Sequence, residues 1–257
     1  MRAVGSLWWR EILRFGRQRS RVTGALVQPL LFWLLLGSGL APSFRPPGAP
    51  AGLGYLAYLY PGILVLVLLF TAIFATISTV EDRQSGFLQG VLAAPLARSG
   101  IVLGQALGGT TLAVGQGAIL LLLAPLAGLS LSLPGLLASV VVLALVGFAL
   151  TSLGLVIAWR LESTQGFHAI MNLILIPIWL LSGAFFPAGG VASPLAWVMR
   201  LDPLTYGLAA LRRCLAFQDP MLAGELPGLA FSLGVTLLFG AAMFGVAAAT
   251  ARRSPAA

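Results

Sequence analysis

The side chains that could do chemistry in this sequence are few, and they do not form a catalytic set. Ser182 followed by Gly183 has the local pattern of an intramembrane serine nucleophile, but no histidine follows in a later apolar segment to serve as its base. His168 is the only histidine and Cys214 the only cysteine, so neither a metal-binding cluster nor an internal disulfide is expected. The sequence therefore predicts no enzyme, with an intramembrane hydrolase acting through Ser182 as an alternative.

Nucleotide chemistry and ion coupling also need residues that this chain lacks. All 15 cationic side chains are arginine, and a P-loop needs a lysine to hold the nucleotide phosphates. The interiors of the long apolar segments contain no Asp or Glu, whereas ion-coupled transporters normally use acids there. We therefore expect no cofactor in this chain. If it takes part in active transport, ATP and magnesium are expected in a partner subunit.

Composition places the chain in a membrane. Of its 257 residues 59% are hydrophobic and only 9% are charged, and the mean hydropathy is +0.99, whereas a soluble domain of this length needs more charge on its surface. The net charge of +8 comes from arginines that flank apolar runs. That placement is typical of contact with lipid headgroups rather than with nucleic acid. The arginine-rich start lacks the pattern of a cleavable signal peptide.

Six apolar runs are long enough to cross a hydrocarbon core of roughly 30 Å. They cover residues 22–41, 56–80, 101–129, 136–159, 169–187 and 227–250. The fold class expected is an all-α integral membrane protein with six transmembrane helices, built as one domain over residues 1–257. An even number of spans places both termini on the same side.

Arginines are divided unequally between the two sides of these spans. The side that holds the termini carries Arg2, Arg10, Arg14, Arg17, Arg19, Arg21, Arg83, Arg98, Arg160, Arg252 and Arg253. The other side carries Arg45, Arg200, Arg212 and Arg213. By the positive-inside rule the richer side is cytoplasmic. We therefore expect a multi-pass protein of the cytoplasmic (inner) membrane with both termini in the cytoplasm.

The segment before the first span is predicted to be an amphipathic helix. On a helix of 3.6 residues per turn, one face carries Arg10, Arg14, Arg17 and Arg21, and the opposite face carries Trp8, Ile12 and Phe15. A basic face opposite tryptophan is typical of a helix that lies in the headgroup plane of a membrane. Such a helix anchors the topology, or in addition contacts a cytoplasmic partner.

The inner loop 81–100 is predicted to hold a short helix. Glu81 and Asp82 suit its start, since carboxylates favour the positive end of the helix dipole, and Pro95 ends it. Its apolar face is formed by Phe87, Leu88, Val91 and Leu92. This face must be buried against something. The residues alone leave open whether that is the protein's own bundle, the lipid surface or a docked partner.

The outer segment 188–226 is unusually apolar and is predicted to contain a helix over 203–217. Asp202 is a good N-cap, and Pro203 suits the first helical position. An apolar stripe follows at Leu204, Leu208, Leu211 and Leu215, beside Arg212 and Arg213. We expect this helix to rest on or dip into the outer leaflet, and the sequence leaves open whether it is re-entrant.

Polar residues inside the spans are expected to serve packing. Gln28, Gln105, Gln116 and Asn172 are expected to form hydrogen bonds across helices, as such groups usually do in lipid, with substrate contact as the alternative. Gly104 and Gly108 form a GxxxG pair, which most often marks a close approach of two helices.

Two loose motifs around these spans resemble the ABC-2 family of permeases, the transmembrane subunits of ABC exporters. The inner motif, E-x-R-x-x-G…P-x-x-R, matches at Glu81, Arg83, Gly86, Pro95 and Arg98. The outer motif matches at Ser182, Gly183, Phe186, Pro187, Pro194, Trp197, Pro203, Leu204, Tyr206 and Arg212. The family usually has Asn where this chain has Asp202. The resemblance covers essentially the whole chain and is nearest in pattern to the drug-resistance and nodulation-export branch.

This resemblance implies a permease that moves a drug, lipid or polysaccharide with energy from ATPase subunits. It implies two membrane subunits, identical or different, and two ATPase subunits. The inner segment from Glu81 to Arg98 would be the coupling helix seated on the ATPase, and spans two and five would line the path at the subunit interface. The alternative from another class is a membrane scaffold or assembly factor that transports nothing.

Overall fold

The computed structural model describes residues 2–40, 54–93, 96–186, 191–215 and 227–253, and its regular elements are all helical. The α-helices are α1 (Arg2–Arg17), α2 (Arg19–Leu40), α3 (Tyr55–Gln84), α4 (Phe87–Ala93), α5 (Arg98–Leu121), α6 (Leu133–Ala158), α7 (Thr164–Trp179), α8 (Ser193–Leu201), α9 (Pro203–Leu215) and α10 (Leu229–Arg253). A 3₁₀ turn covers Ala124–Ala127, and a π-helical turn, Leu180–Ala184, continues α7.

Within the described ranges, five helices are long and apolar enough to cross a membrane. They are α2, α3, α6, α10 and the continuous helix Thr164–Ala184. The chain is therefore an all-helical, multi-pass membrane protein. The remaining long helix, α5, is less apolar because glycine, threonine and glutamine recur along it.

The third predicted span was drawn too long. Residues 101–129 contain no charged side chain, but α5 ends at Leu121 and the chain then forms the 3₁₀ turn around Pro125. Gly128 closes this turn with a φ of 80°, a conformation that glycine adopts at little cost. Hydropathy does not detect a turn that is itself apolar.

Helix α3 lies at the centre of the bundle. Of its most apolar stretch, 94% is buried, and α2, α5, α6 and α7 surround it. The expectation that the second span lines a path at a subunit interface is therefore wrong for α3, because other helices of the same chain cover it. Helices α2 and α10 are peripheral, with only 22% and 17% of their apolar stretches buried.

Close contacts join α3, α5 and α6 to one another. The hydroxyl of Thr71 donates to Gln116 over 2.8 Å, and the indole N–H of Trp159 donates to Gln105 over 3.3 Å. The expected role of Gln105 and Gln116 in helix packing is thus confirmed, whereas Gln28 and Asn172 are exposed. A Cβ at Gly109 of α5 would lie 2.5 Å from the Thr151 methyl carbon, so the α5–α6 contact requires glycine there.

Helices α8 and α9 form a hairpin that enters the bundle. Gly207 lies against Val146, at the middle of α6, and a Cβ there would be 2.7 Å from the Val146 side chain. At the other end of α9, Arg212 reaches Tyr58 near the start of α3. The predicted helix is confirmed over Pro203–Leu215, and its leucine stripe is buried. The helix packs among α6, α10 and the π turn.

Candidate functional site

The site begins where α3 turns into α4. Helix α3 continues to Gln84, Ser85 caps it, and Gly86 reverses the chain with a φ of 74° before α4 starts at Phe87. Glu81 and Asp82 therefore lie in the last turn of α3, and their expected place at the start of the short helix is wrong. The helix runs past them because the first residue able to break it at low cost is Gly86.

Three arginines from the N-terminal helices clamp these two acids. Arg10 donates a hydrogen bond from each terminal guanidinium nitrogen to the carboxylate of Asp82, over 2.6 and 2.7 Å. Arg14 donates to Asp82 over 2.6 Å and to Glu81 over 2.7 Å, and Arg21 also pairs with Glu81. The side chain of Asp82 is only 4% exposed. We call these five residues the arginine clamp. Charge-assisted, bidentate bonds of this kind are the stronger class of hydrogen bond.

Glu11 extends the clamp toward the interior. It is 4% exposed and accepts hydrogen bonds from the hydroxyl of Ser78 over 2.7 Å and from Arg10 over 3.1 Å. Burial raises the pKa of Glu11, and the bonds from Ser78 and Arg10 partly oppose that rise. Sequence reasoning missed this residue. The available signal was a single acid in the middle of an arginine-rich helix.

The predicted N-terminal helix is present, but both its basic face and its predicted apolar face contact the rest of the protein. Arg10, Arg14 and Arg21 face α3 instead of lipid headgroups, whereas Arg17 is exposed. On the face expected to be apolar and lipid-facing, Phe15 is buried. A basic helix face suits carboxylates as well as headgroups, and these carboxylates lie about 70 residues further along the chain.

The rest of that face is also turned inward. Trp8 donates its indole N–H to Thr111 over 3.0 Å, and Ile12 is partly buried. The exposed apolar residues of α1 are instead Trp9 and Leu13. If one side of α1 faces lipid, it is therefore the side of Trp9 and Leu13, each one residue after the predicted Trp8 and Ile12.

The GxxxG pair of α5 provides the seat for α1. A Cβ at Gly104 would lie 2.9 Å from the Cβ of Leu7, and one at Gly108 would lie 2.7 Å from the Cβ of Glu11. The expected close approach of helices is confirmed, and its partner is the N-terminal helix rather than another span. The arginine clamp and the glycine seat together fix α1 against α3 and α5.

The apolar face predicted for α4 divides into two parts. Leu88 is 4% exposed and shares an apolar cluster with Ile101 and Trp159, and Val91 and Leu92 pack against that cluster. These leucines and the valine thus face the protein's own bundle, which was one of the alternatives left open. Phe87 differs, because it is 43% exposed. The guanidinium carbon of Arg10 lies 3.9 Å from the centre of its ring.

Two further motif arginines bind the ends of other helices. Arg83 donates to the carbonyl of Trp159 over 2.8 Å and to that of Leu161 over 3.2 Å, at the end of α6. Arg98 donates to the carbonyls of Ala251 and Arg252 over 3.1 and 2.9 Å, at the end of α10. Cations are favoured there by the helix dipole. Pro95 lies outside the described residues.

The outer motif gathers at the opposite end of the bundle. Gly183 has a φ of 86°, and its carbonyl accepts from the hydroxyl of Tyr58 over 3.1 Å and from Arg212 over 2.8 Å. Ser182 donates its hydroxyl to the carbonyl of Trp179 over 2.7 Å. His168 lies near the far end of the same helix, at the start of α7, so Ser182 has no histidine base beside it.

The other outer residues have structural positions. Pro194 lies in the first turn of α8, Pro203 starts α9 with Leu204 next to it, and Phe186 is partly buried. The hydroxyl of Tyr206 donates to the carbonyl of Arg200 over 2.7 Å, and Trp197 is 61% exposed. Pro187 falls outside the described residues. The described residues of the motif therefore support the α8–α9 hairpin and its contact with Gly183.

Comparison with known proteins agrees with this architecture. Residues 2–215 match the model of the ABC-2 type transporter family. The chain is 29% identical over 210 residues to nodulation protein J of Rhizobium leguminosarum bv. trifolii, covering 80% of this chain and 79% of that protein. It is 26% identical over 251 residues to nodulation protein J of Rhizobium leguminosarum bv. viciae, covering 96% and 93%.

A second kind of relative is named as a transport permease, ycf38, in Cyanophora paradoxa. The identity is 26% over 226 residues, which cover 86% of this chain and 77% of that protein. The family match spans most of the chain and includes both the arginine clamp and the α8–α9 hairpin. The chain therefore belongs to the ABC-2 type transporter family and is a transmembrane transport subunit rather than an enzyme.

Proposed function

We propose that this chain is the permease subunit of an ATP-driven exporter in the cytoplasmic membrane. In this proposal α5 is the sixth span, both termini are cytoplasmic, and ATP with magnesium is bound by a separate ABC ATPase. A second permease subunit, identical or different, completes the path. The cargo class is a drug, a lipid or a polysaccharide, and the relatives named nodulation protein J favour the nodulation-export branch.

The observation that carries the proposal is the set of links between the α3–α4 turn and the helix ends around it. Asp82 and Glu81 join the turn to α1 and α2, Arg83 joins it to α6, and Arg98 joins the start of α5, which follows α4, to α10. A partner that displaced α4 would therefore act on several membrane helices together. Such links suit a coupling element that transfers a nucleotide-dependent movement into the bundle.

The surface that this element offers to an ATPase is narrow. On α4 the exposed side chains are Phe87, Gln89 and Ala93, and Glu162 and Ser163 of the neighbouring loop are exposed as well. The side chain of Gln84 donates to the carbonyl of Glu162 over 2.7 Å, which holds the loop beside the α3–α4 turn. We place Phe87 at the centre of this surface, since aromatic anchors dominate many interfaces.

A second surface suits the transport path. Arg200 is exposed at the inner end of α8, beside the part of the hairpin that reaches the middle of α6, and its guanidinium lies 5.5 Å from the Trp197 ring centre. An arginine at such depth is costly in lipid and normally faces water or protein. We propose that this face of α8 lines the path between the two permease subunits.

The orientation can be tested by cysteine labelling in a Cys214→Ala background. Ser85 and Ser193 are exposed on opposite ends of the bundle, and each can carry a single introduced cysteine. Because arginines are enriched at the Ser85 end, we expect an impermeant thiol reagent on intact cells to label position 193 and not position 85. Labelling of position 85 from outside would show that the orientation is reversed.

The proposed function itself can be tested by purifying the tagged full chain in mild detergent. We expect a subunit with a P-loop to copurify, and the complex to hydrolyse ATP faster when its cargo is added. A chain that copurifies with no ATPase, or a complex whose hydrolysis does not respond to any candidate cargo, would support the scaffold alternative instead.

A further inference from the structure

The α8–α9 hairpin places an acid deep inside the protein. Asp202 joins the two short helices, five residues before Gly207, which contacts the middle of α6. Helix α9 then runs toward the opposite end of the bundle, where Arg212 meets Tyr58. The thirteen residues of α9 span about 20 Å. Asp202 directly precedes α9, so it lies about that distance along the helix axis from the far end of α9. Counting charges along the predicted spans missed this acid because it belongs to none of them.

The carboxyl group of Asp202 is only partly satisfied. One oxygen caps α9 by accepting from the backbone N–H of Leu204 over 2.9 Å. The other oxygen is buried and has no hydrogen-bond partner, and the residue is 8% exposed. A carboxylate buried in this way is strongly disfavoured, whereas a neutral carboxylic acid is tolerated. The geometry therefore favours the protonated form.

No cation among the described residues compensates a charge at this position. Helix α6 has no ionisable residue, and those of α7 and α10, His168, Arg252 and Arg253, lie toward the arginine-rich end. On the hairpin itself, Arg200 is exposed and packs on Trp197. The hydroxyl of Tyr206 donates to a backbone carbonyl. Arg212 and Arg213 lie toward the far end of α9, about 15 Å away along the helix.

We propose that Asp202 is a proton-binding site: its carboxyl group holds a proton while the α8–α9 hairpin is inserted and releases that proton when the hairpin opens to water. The O–H bond of the carboxylic acid breaks on opening, and water or buffer takes up the proton. Opening of the hairpin is thereby linked to pH. This inference goes beyond the proposed function, because it concerns the hairpin of this chain without its ATPase.

The sign of the linkage follows from the two states. The inserted hairpin binds one proton more than the open one, so the inserted state is favoured at low pH and the open state gains as pH rises. The equilibrium constant for opening should increase by up to about tenfold per pH unit while the inserted acid stays protonated. Above the pH at which the inserted acid itself ionises, the increase should level off.

Cys214 provides a natural reporter, because it is the only cysteine and is buried on α9. The experiment measures the rate at which N-ethylmaleimide modifies Cys214 in the purified full chain, from about pH 5.5 to about pH 8.5. Asp202→Asn and Asp202→Ser keep a helix-capping group but cannot ionise. The ratio of the wild-type rate to the variant rate cancels the ionisation of the thiol itself.

We expect this ratio to rise with pH by several-fold or more, with either variant. Glu162→Gln removes an exposed acid, and its ratio to wild type should stay flat. A ratio that stays constant for both Asp202 variants would overturn the proposal, and if one variant does not fold the other decides. Because the readout is a thiol in the isolated chain, failure here is distinguishable from failure of the proposed ATPase partnership.

Discussion

Replacing Asp82 with Asn is expected to reduce stability by about 2–3 kcal/mol and to free α1 from the bundle. Removing one partner of a fully buried ion pair costs about 3–5 kcal/mol. The side chains of Arg10 and Arg14 are 29% and 24% exposed, so they can turn partly to solvent or headgroups, and we lower the expected cost accordingly. Thermal unfolding of the purified protein, together with protease cleavage within α1, measures the effect.

A matched control and a mutant cycle make this prediction specific. Glu162→Gln neutralises an exposed acid near the same turn and should change stability by less than about 0.5 kcal/mol. Arg10→Gln should cost less in the Asp82→Asn background than in the wild type, since its ion pair with Asp82 is already gone and only its contacts with Glu11 and Phe87 remain. Additive effects of the two substitutions would mean that the Arg10–Asp82 pair contributes no coupling energy.

Separate effects on folding and on ATPase binding are expected from two adjacent residues of α4. Leu88→Ala should destabilise the protein by about 2–4 kcal/mol because Leu88 is buried in the bundle, while each folded molecule still binds the ATPase normally. Phe87→Ala should leave the fold intact, because Phe87 is 43% exposed. It should weaken ATPase binding by about 10- to 100-fold if this ring is an interface anchor.

These effects can be distinguished by measuring how tightly the copurifying ATPase binds each detergent-solubilised variant. The bound amount is divided by the amount of folded protein. Trp197→Ala removes another exposed aromatic ring, on α8 and away from α4, and should leave ATPase binding unchanged. If Phe87→Ala binds the ATPase as tightly as wild type, the docking surface lies elsewhere, although the contacts of Leu88 with the bundle would stand.

Local patterns in the sequence were sufficient to predict the membrane class and most helix positions. The N-cap at Asp202 and the leucine stripe after Pro203 gave the helix that the structure has, because both signals lie within a few residues of each other. The GxxxG pair at Gly104 and Gly108 correctly indicated close packing. Only the identity of the packed partner was missing.

What could not be predicted depends on residues that are distant in sequence. The arginine clamp joins side chains separated by 60 to 72 positions, and no local pattern specifies which carboxylate an arginine will meet. The apolar face of α4 is a second example. Its sequence shows that Leu88 must be buried but does not show which part of the protein, or which partner, buries it. The depth of Asp202 depended on the hairpin entering the bundle, which follows from the contact of Gly207 with Val146.

The central position of α3 also constrains the order in which the chain can assemble during its synthesis. Apart from α2, the helices that cover α3 are made later, and the 74 residues from Gln84 to Ala158 need about 4–15 s at ordinary translation rates. During that interval the buried hydroxyls of Thr71 and Thr76 would meet lipid instead of α5 and α6. The arginine clamp, however, requires only the first 82 residues. The nascent chain can therefore fasten the Glu81–Asp82 end of α3 to α1 and α2 before α5 and α6 are made.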